Sequence, residues 1–344
     1  APVNPAPDGW LDAIDSTAGP LQAAAVQTLV SLRLGKPQRQ RVAAMLRRFG
    51  RSSALGDRQR TLAYYGIPDG LLAPDETEFA YLLGQLNAGR AFTQRSNAAK
   101  ALAEASLTDS QLGRLAKQLG SLGTAEATVL LPAFGGGRDA TLGQALLAVL
   151  GQASWLRGLD DAVLQKATGG FGKTVQGQAV DLLAKARAAP VDQTKRLREL
   201  ADRLPGGDAL RGKAVFRGPK AGCSICHSMA YHGGQFGPDL TRIGQVRKKM
   251  DLLEAIIFPS ASLVRSYETM QVSTGGGDVL AGIIRDQGVG HVSLGVSPEK
   301  TTRIERGNIR KIEPLNISLM PAGMDQVLTL RELGDLIAYL EASR

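Results

Sequence analysis

A periodicity constrains this chain more than any other feature of its sequence. From Leu21 to about Leu204 one theme repeats: an Ala- and Leu-rich stretch, a glycine-containing break, then another such stretch, with no strand pattern between them. Leu21 to Leu32, Ser96 to Ser106, Thr141 to Leu150 and Val175 to Ala186 each set small and branched apolar residues three and four apart, on one face of a helix. Comparable alanines at Ala99, Ala145 and Ala179 follow one another at 46 and 34 residues, within the range of stacked helix pairs. One helix pair cannot bury its apolar face alone, whereas pairs stacked in chain order share a continuous core. The residues therefore predict an α-solenoid, with an irregular helical bundle as the alternative.

This part of the chain resembles a degenerate HEAT-like array, a likeness carried by composition and period, and that resemblance implies a scaffold. The breaker cluster Pro205-Gly206-Gly207-Asp208 ends it, so the expected domains are 1–205, helical repeats, and 206–344. Beyond the break, Asp208 is placed to cap a short helix to about Arg217, and another helix is expected from about Gln245 to Phe258. From 267 to 314 β-branched residues rise, and turn signals such as Gly275-Gly276-Gly277-Asp278 separate alternating runs, which fits four or five short strands. Thr329, with Glu332 three residues on, starts a last helix with an apolar stripe of Leu330, Leu333, Leu336, Ile337 and Leu340. The fold class is thus mainly α, with a β-rich insertion in the second domain.

With 344 residues, 43% of them apolar, only 5% aromatic and 41 glycines, the composition excludes disorder and collagen. No stretch approaches the roughly 20 uninterrupted apolar residues that span a bilayer. The net charge of +9 is spread along the chain, and its densest groups, Arg47-Arg48 with Arg51 and Arg247-Lys248-Lys249, are short. Nucleic-acid binders concentrate such charge in stripes among exposed aromatics, so an acidic protein partner is the expected reading. The start at Ala1 without methionine fits an end left by signal-peptide removal, or a trimmed start.

The chain holds only two cysteines and three histidines. That number excludes a disulfide framework and any four-thiolate zinc or iron–sulfur site. Both cysteines fall in Cys223-Ser224-Ile225-Cys226-His227, the spacing of a c-type haem attachment site. Thiols three apart reach neighbouring edges of one porphyrin, and the next residue projects beneath the iron. A redox dithiol, a zinc site completed by a fourth ligand and chance are the competing readings; the dithiol lacks its usual βαβ context.

The residues around the motif resemble the c-type cytochrome fold. Gly212 and Phe216 match that family's first helix where it crosses the last, and Leu336-Ile337-Ala338-Tyr339-Leu340 matches the last helix. Gly237-Pro238-Asp239-Leu240 matches the loop whose proline carbonyl accepts from the haem-binding histidine; alone, Gly-Pro is a common turn signal. From Gly212 to Leu340 the chain is most similar to the haem-binding domain of planctomycete and verrucomicrobial secreted proteins, whose further landmarks stand here as Ile257-Phe258-Pro259-Ser260 and Ser318-Leu319-Met320-Pro321. The resemblance implies one covalent haem c, bound through Cys223, Cys226 and His227 and supported by Pro238. It also implies a periplasmic or secreted location, with a dehydrogenase, of sugar or alcohol type, as a separate electron donor and a later carrier as acceptor.

The sixth iron ligand decides between electron transfer and an open, ligand-binding site. Met320, in extended chain before Pro321, stands where the family places its axial methionine, with Met324 the near rival. Met229 is too close to His227 to reach the opposite face. Met250 and Met270 read as packing residues, His232 as a loop residue and His291 as facing solvent. Expected is an electron-transfer subunit with His227 and Met320 as axial ligands; the alternative is a peroxidase-like haem enzyme or ligand sensor with an exchangeable distal position.

Overall fold

The computed structural model describes all residues except 1–7, 18, 20, 33, 121, 123, 154, 189–192, 277, 278, 299 and 316, so Ala1 and half of the Gly275–Asp278 turn lie outside the described residues. The protein is mainly helical, with a small sheet near the C-terminus, and divides into two compact units, 1–122 with 126–189 and 123–125 with 190–344. Among the described residues no helix is long and apolar enough to cross a membrane.

The first unit comprises α1 (Asp8–Asp15), α2 (Leu21–Ser31), α3 (Lys36–Arg51), α4 (Asp57–Tyr65), α5 (Glu76–Gln85), α6 (Phe92–Ala103), α7 (Asp109–Leu119), α8 (Thr124–Leu130), α9 (Ala140–Gln152), α10 (Asp161–Thr168) and α11 (Lys173–Ala188). Contacts run between helices close in sequence: α3 on α4, α4 on α6, α7 on α9, α9 on α11. One apolar core threads them, from Leu11 through Phe49, Phe79, Leu102 and Leu146 to Leu183. This is the sequential stacking that one-sided Ala/Leu helices produce. Two buried acids of this unit are paired with arginines. Glu78, 1% exposed, caps α5 through Asp75 and takes Arg47 and Arg51 at 2.5 and 2.8 Å, while Arg95 meets Glu126 at 2.9 Å in the interior.

The second unit begins earlier than the Pro205–Gly206 break. Helix α12 (Gln193–Arg203) buries Leu197 and Leu200 in the second core, so it belongs there by packing. It is followed by α13 (Ala209–Arg217), α14 (Cys223–Cys226), a hairpin of β1 (Ser228–Met229) and β2 (His232–Gly233), α15 (Ile243–Val246) and α16 (Lys249–Ile257). The single helix expected from Gln245 to Phe258 is two. Lys248 is extended, at φ −97° and ψ 169°, and its N–H bonds the Asp251 carboxylate at 3.0 Å, starting a new helix where the older one ends.

The insertion is an open antiparallel sheet of β3 (Thr269–Thr274), β4 (Val279–Gln287), β5 (His291–Ser297), β6 (Lys300–Glu305) and β7 (Ile309–Leu315), in the order β6-β5-β4-β3-β7 among the described residues. Its own small core is Val272, Leu294 and Ile304. The chain closes with α17 (Met324–Val327) and α18 (Leu330–Ala342), the latter started by the reciprocal Thr329–Glu332 cap.

Candidate functional site

The motif hangs on the crossing of α13 and α18. Asp208 caps α13 by accepting from the Arg211 N–H at 2.8 Å. A Cβ on Gly212 would lie 1.9 Å from the Asp335 carbonyl oxygen, so only glycine permits this approach. Phe216, 2% exposed, sets its ring 5.7 Å from that of Tyr339 at 56°, filling the crossing. Beside it, Asp335 accepts twice from the Arg211 guanidinium, each at 2.8 Å, and once from the Asp208 N–H at 2.7 Å. The guanidinium holds the Asp335 carboxyl below the usual carboxylate range.

From α13 the chain turns at Gly222 into α14, the single turn bearing both cysteines. Both are thiols, not a disulfide. Cys223 packs against the second core, and burial pushes its thiol up to about 12. His227 leaves the turn in extended conformation with its N–H on the Cys223 carbonyl at 2.9 Å. Its ring Nδ1 lies 2.8 Å from the Pro238 carbonyl oxygen. A carbonyl only accepts, so Nδ1 carries the hydrogen and Nε2 is left with a lone pair. Burial lowers the His227 pKa, and the Pro238 bond offsets part of that effect.

The loop facing the histidine is fastened by backbone bonds back to the motif. Gly234, Gly237 and Leu240 donate to the carbonyls of Ser224, Cys226 and Ser228 at 2.9, 2.7 and 2.8 Å. Gly237 lies flat against the imidazole, where a Cβ would fall 2.6 Å from Cε1. Asp239 accepts from Ser228 Oγ at 2.6 Å and from the Thr241 N–H at 2.8 Å, and these bonds hold its carboxyl below the usual range. Thr241 in turn accepts from the Ala230 N–H at 2.9 Å.

Cys223, Cys226, His227 and Pro238 are thus gathered in one assembly. Met320 is half-buried at the margin of the second core, where Cys223, Leu240, Ile243 and Phe258 also lie, while Met324 is 6% exposed inside that core. Met229 is buried there too, and Met270 flanks the sheet core. Met250 is not a packing residue: it is 39% exposed in the first turn of α16, ahead of the buried Leu252, Leu253, Ile256 and Ile257. His291 does not face open solvent either, since its side chain is 17% exposed and its Nε2 meets Asp286 at 2.9 Å. His232 is exposed on β2.

Two groups at the site escape sequence reasoning. Asp335 sits inside the apolar stripe of α18, where a carboxylate ordinarily faces water, and its partner Arg211 is far away in sequence. Arg285, on β4, donates to the Phe236 carbonyl at 2.7 Å. No signal short of the sheet register announces that bond.

Among the described residues no group of three or more His, Cys, Asp or Glu is placed to hold a metal ion. No protein-family model matches this sequence, and no curated protein matches it.

Proposed function

We propose that this chain is a periplasmic or secreted electron-transfer protein carrying one covalent haem c. Cys223 and Cys226 would hold the haem by thioether bonds, and His227 and Met320 would be the axial ligands. One observation carries this reading: Pro238 occupies Nδ1 of His227 and leaves Nε2 for iron, on a ring that directly follows the two thiols. A carbonyl on the far nitrogen fixes the tautomer and the ring orientation and raises the basicity of a metal-ligating histidine.

The residues fit such a group better than they fit the competing readings. A redox dithiol needs a first cysteine with a lowered pKa, and burial drives Cys223 the other way. Zinc needs converging ligands, and Cys223, Cys226 and His227 do not form such a group. A porphyrin needs an apolar margin and two iron donors: Leu240, Ile243 and Phe258, half-covered at the same core as Cys223, suit the first, and His227 and Met320 would be the second. Met320 is favoured over Met324 because the latter is engaged in core packing. When bound, the haem supplies one-electron transfer, with methionine ligation raising its potential.

The electron donor in this reading is a separate dehydrogenase, of sugar or alcohol type, and the acceptor a later carrier; an acidic partner surface would complement the net charge of +9. Purification of the chain from a periplasmic extract tests the reading. The expected result is haem that survives denaturation, a reversible reduced-minus-oxidised spectrum, and no ready binding of carbon monoxide to the reduced protein. Absence of covalent haem refutes it. Rapid carbon monoxide binding instead supports the haem enzyme or sensor with an open distal position.

A further inference from the structure

A side chain of the sheet inserted between α16 and α17 reaches the histidine loop, and its geometry is specific. Strand β4 pairs Ile284 with Leu294 and Asp286 with Ser293, so Arg285 is the extra residue of a β-bulge. Bulges bend a strand and re-aim the side chain they carry. Here the guanidinium is aimed at Phe236: Nη2 donates to the Phe236 carbonyl at 2.7 Å, and the guanidinium carbon stands 4.9 Å from the centre of the Phe236 ring. On the neighbouring strand Gly295 leaves the space this needs, since a Cβ there would come within 3.0 Å of Arg285 Nε and 3.3 Å of the Phe236 ring.

Phe236 is followed by the two residues that define the imidazole's position, Gly237 against its face and Pro238 on its Nδ1. A planar guanidinium donates in its plane and stacks through its face at once, so a single side chain fixes both the carbonyl and the ring of Phe236. Solvent-exposed arginines on strands usually have no such fixed partner. We infer that Arg285 is a positioning residue for His227, holding the 234–238 loop so that the Pro238 carbonyl stays on Nδ1. This rests on the haem reading only for its functional meaning. It gives the sheet a task, as a brace for the proximal side of the site.

Amide hydrogen exchange on the full chain, with and without haem, tests it. Arg285→Ala should speed exchange of the Gly237 amide by about tenfold, as expected for loss of one charge-assisted bond, with the Val272 and Leu294 amides of the sheet unchanged. Arg285→Lys, which keeps a cation and one donor, should bring the rate back to within about threefold of the parent. Phe236→Leu leaves the sheet intact and removes only the ring, so it guards against a collapsed bulge; its expected rise is about threefold. In the haem-bearing chain Arg285→Ala should raise the reduction potential, because a loosened Pro238 bond makes the imidazole a weaker donor. A purified chain without haem overturns the proposed function and leaves the exchange experiment to judge Arg285. Unchanged exchange at Gly237, or an unchanged potential in a haem-bearing chain, overturns the positioning role alone.

Discussion

Gly212→Ala sets two effects of known size against each other. Helix propensity alone makes alanine better than glycine by about 0.8–1 kcal/mol in a helix interior. The new Cβ, however, would stand 1.9 Å from the Asp335 carbonyl oxygen and 2.7 Å from Tyr339 Cβ. Ordinary non-bonded separations are about 3.5 Å, so α13 and α18 would have to part by about 1.5 Å, and no rotamer can relieve a clash with backbone. A gap of that size forfeits much of the dispersion between Phe216, Tyr339 and Leu336, and overpacking of this kind costs about 1–3 kcal/mol or more. The clash wins, and the net expectation is a second unit destabilised by about 2 kcal/mol. Gly177→Ala is the matched control. That glycine lies in α11 with nothing within 4 Å of its would-be Cβ, so propensity acts unopposed and stabilises by about 0.5–1 kcal/mol. Both tryptophans, Trp10 and Trp155, lie in the first unit, so their emission in a urea titration reads the Gly177 change. Exchange of the buried α18 amides reads the Gly212 change, with a rise of about thirtyfold expected. Greater protection of α18 in Gly212→Ala would show that the crossing is loose and the reasoning mistaken.

Met320→Ala should abolish the weak near-infrared sulfur-to-iron band of the haem-bearing chain. Met324→Ala should keep that band while costing about 2–5 kcal/mol of stability as a core truncation; the reverse pattern in spectra and denaturation would exchange the two roles. Gly237→Ala drives a Cβ into the His227 ring, so haem incorporation during periplasmic expression should fall sharply, and incorporation at the parent level would contradict the packing described. Glu78 is pushed up by burial but held down to about 2 by Arg47 and Arg51, against 4.5 for an ordinary glutamate. Its stabilisation is therefore complete above about pH 4.5 and is lost as the pH falls toward 2. Glu78→Gln should flatten that acid limb in tryptophan-monitored unfolding, and an unchanged limb would mean that other carboxylates govern it.

The helices of the first unit are legible in the sequence because each has one apolar face, and a period of three to four is what such a face looks like along the chain. Helices α13 and α18 are legible for a related reason: a glycine and an aromatic residue four apart, and a Leu-Ile-Ala-Tyr-Leu run, are the residue types a close crossing requires. What a one-dimensional pattern does not carry is where an element begins and what it packs against. Met250 stands in step with Leu253 and Ile257, yet the helix starts at Lys249 and leaves Met250 exposed in its first turn. The apolar residues of α12 announce a buried face without saying which core receives it. Asp335 is buried in an apolar stripe because Arg211 meets it, a pairing no local pattern contains. Arg285 is aimed by a bulge, which is a property of two strands and their register.

The register of the inserted sheet also bears on how the chain connects its parts. Strand β7 returns to pair with β3, and Thr269 stands opposite Leu315, so the first and last residues of the insertion are antiparallel neighbours. Such neighbours are only about 5 Å apart. To the helices on either side, the whole excursion is equivalent in closure to a tight turn, because the folded sheet has already removed the entropy that an open segment of that length would carry. The distance along the chain between His227 and Met320 is therefore long in residues and short in topology. A sheet with this connectivity can lengthen, shorten or change its edge strand β6 at little cost to the helical framework, whereas β5 is tied to the site by Gly295 and by the bulge that aims Arg285, so the second unit is a compact helical domain with a module joined at neighbouring chain ends and braced at the histidine loop.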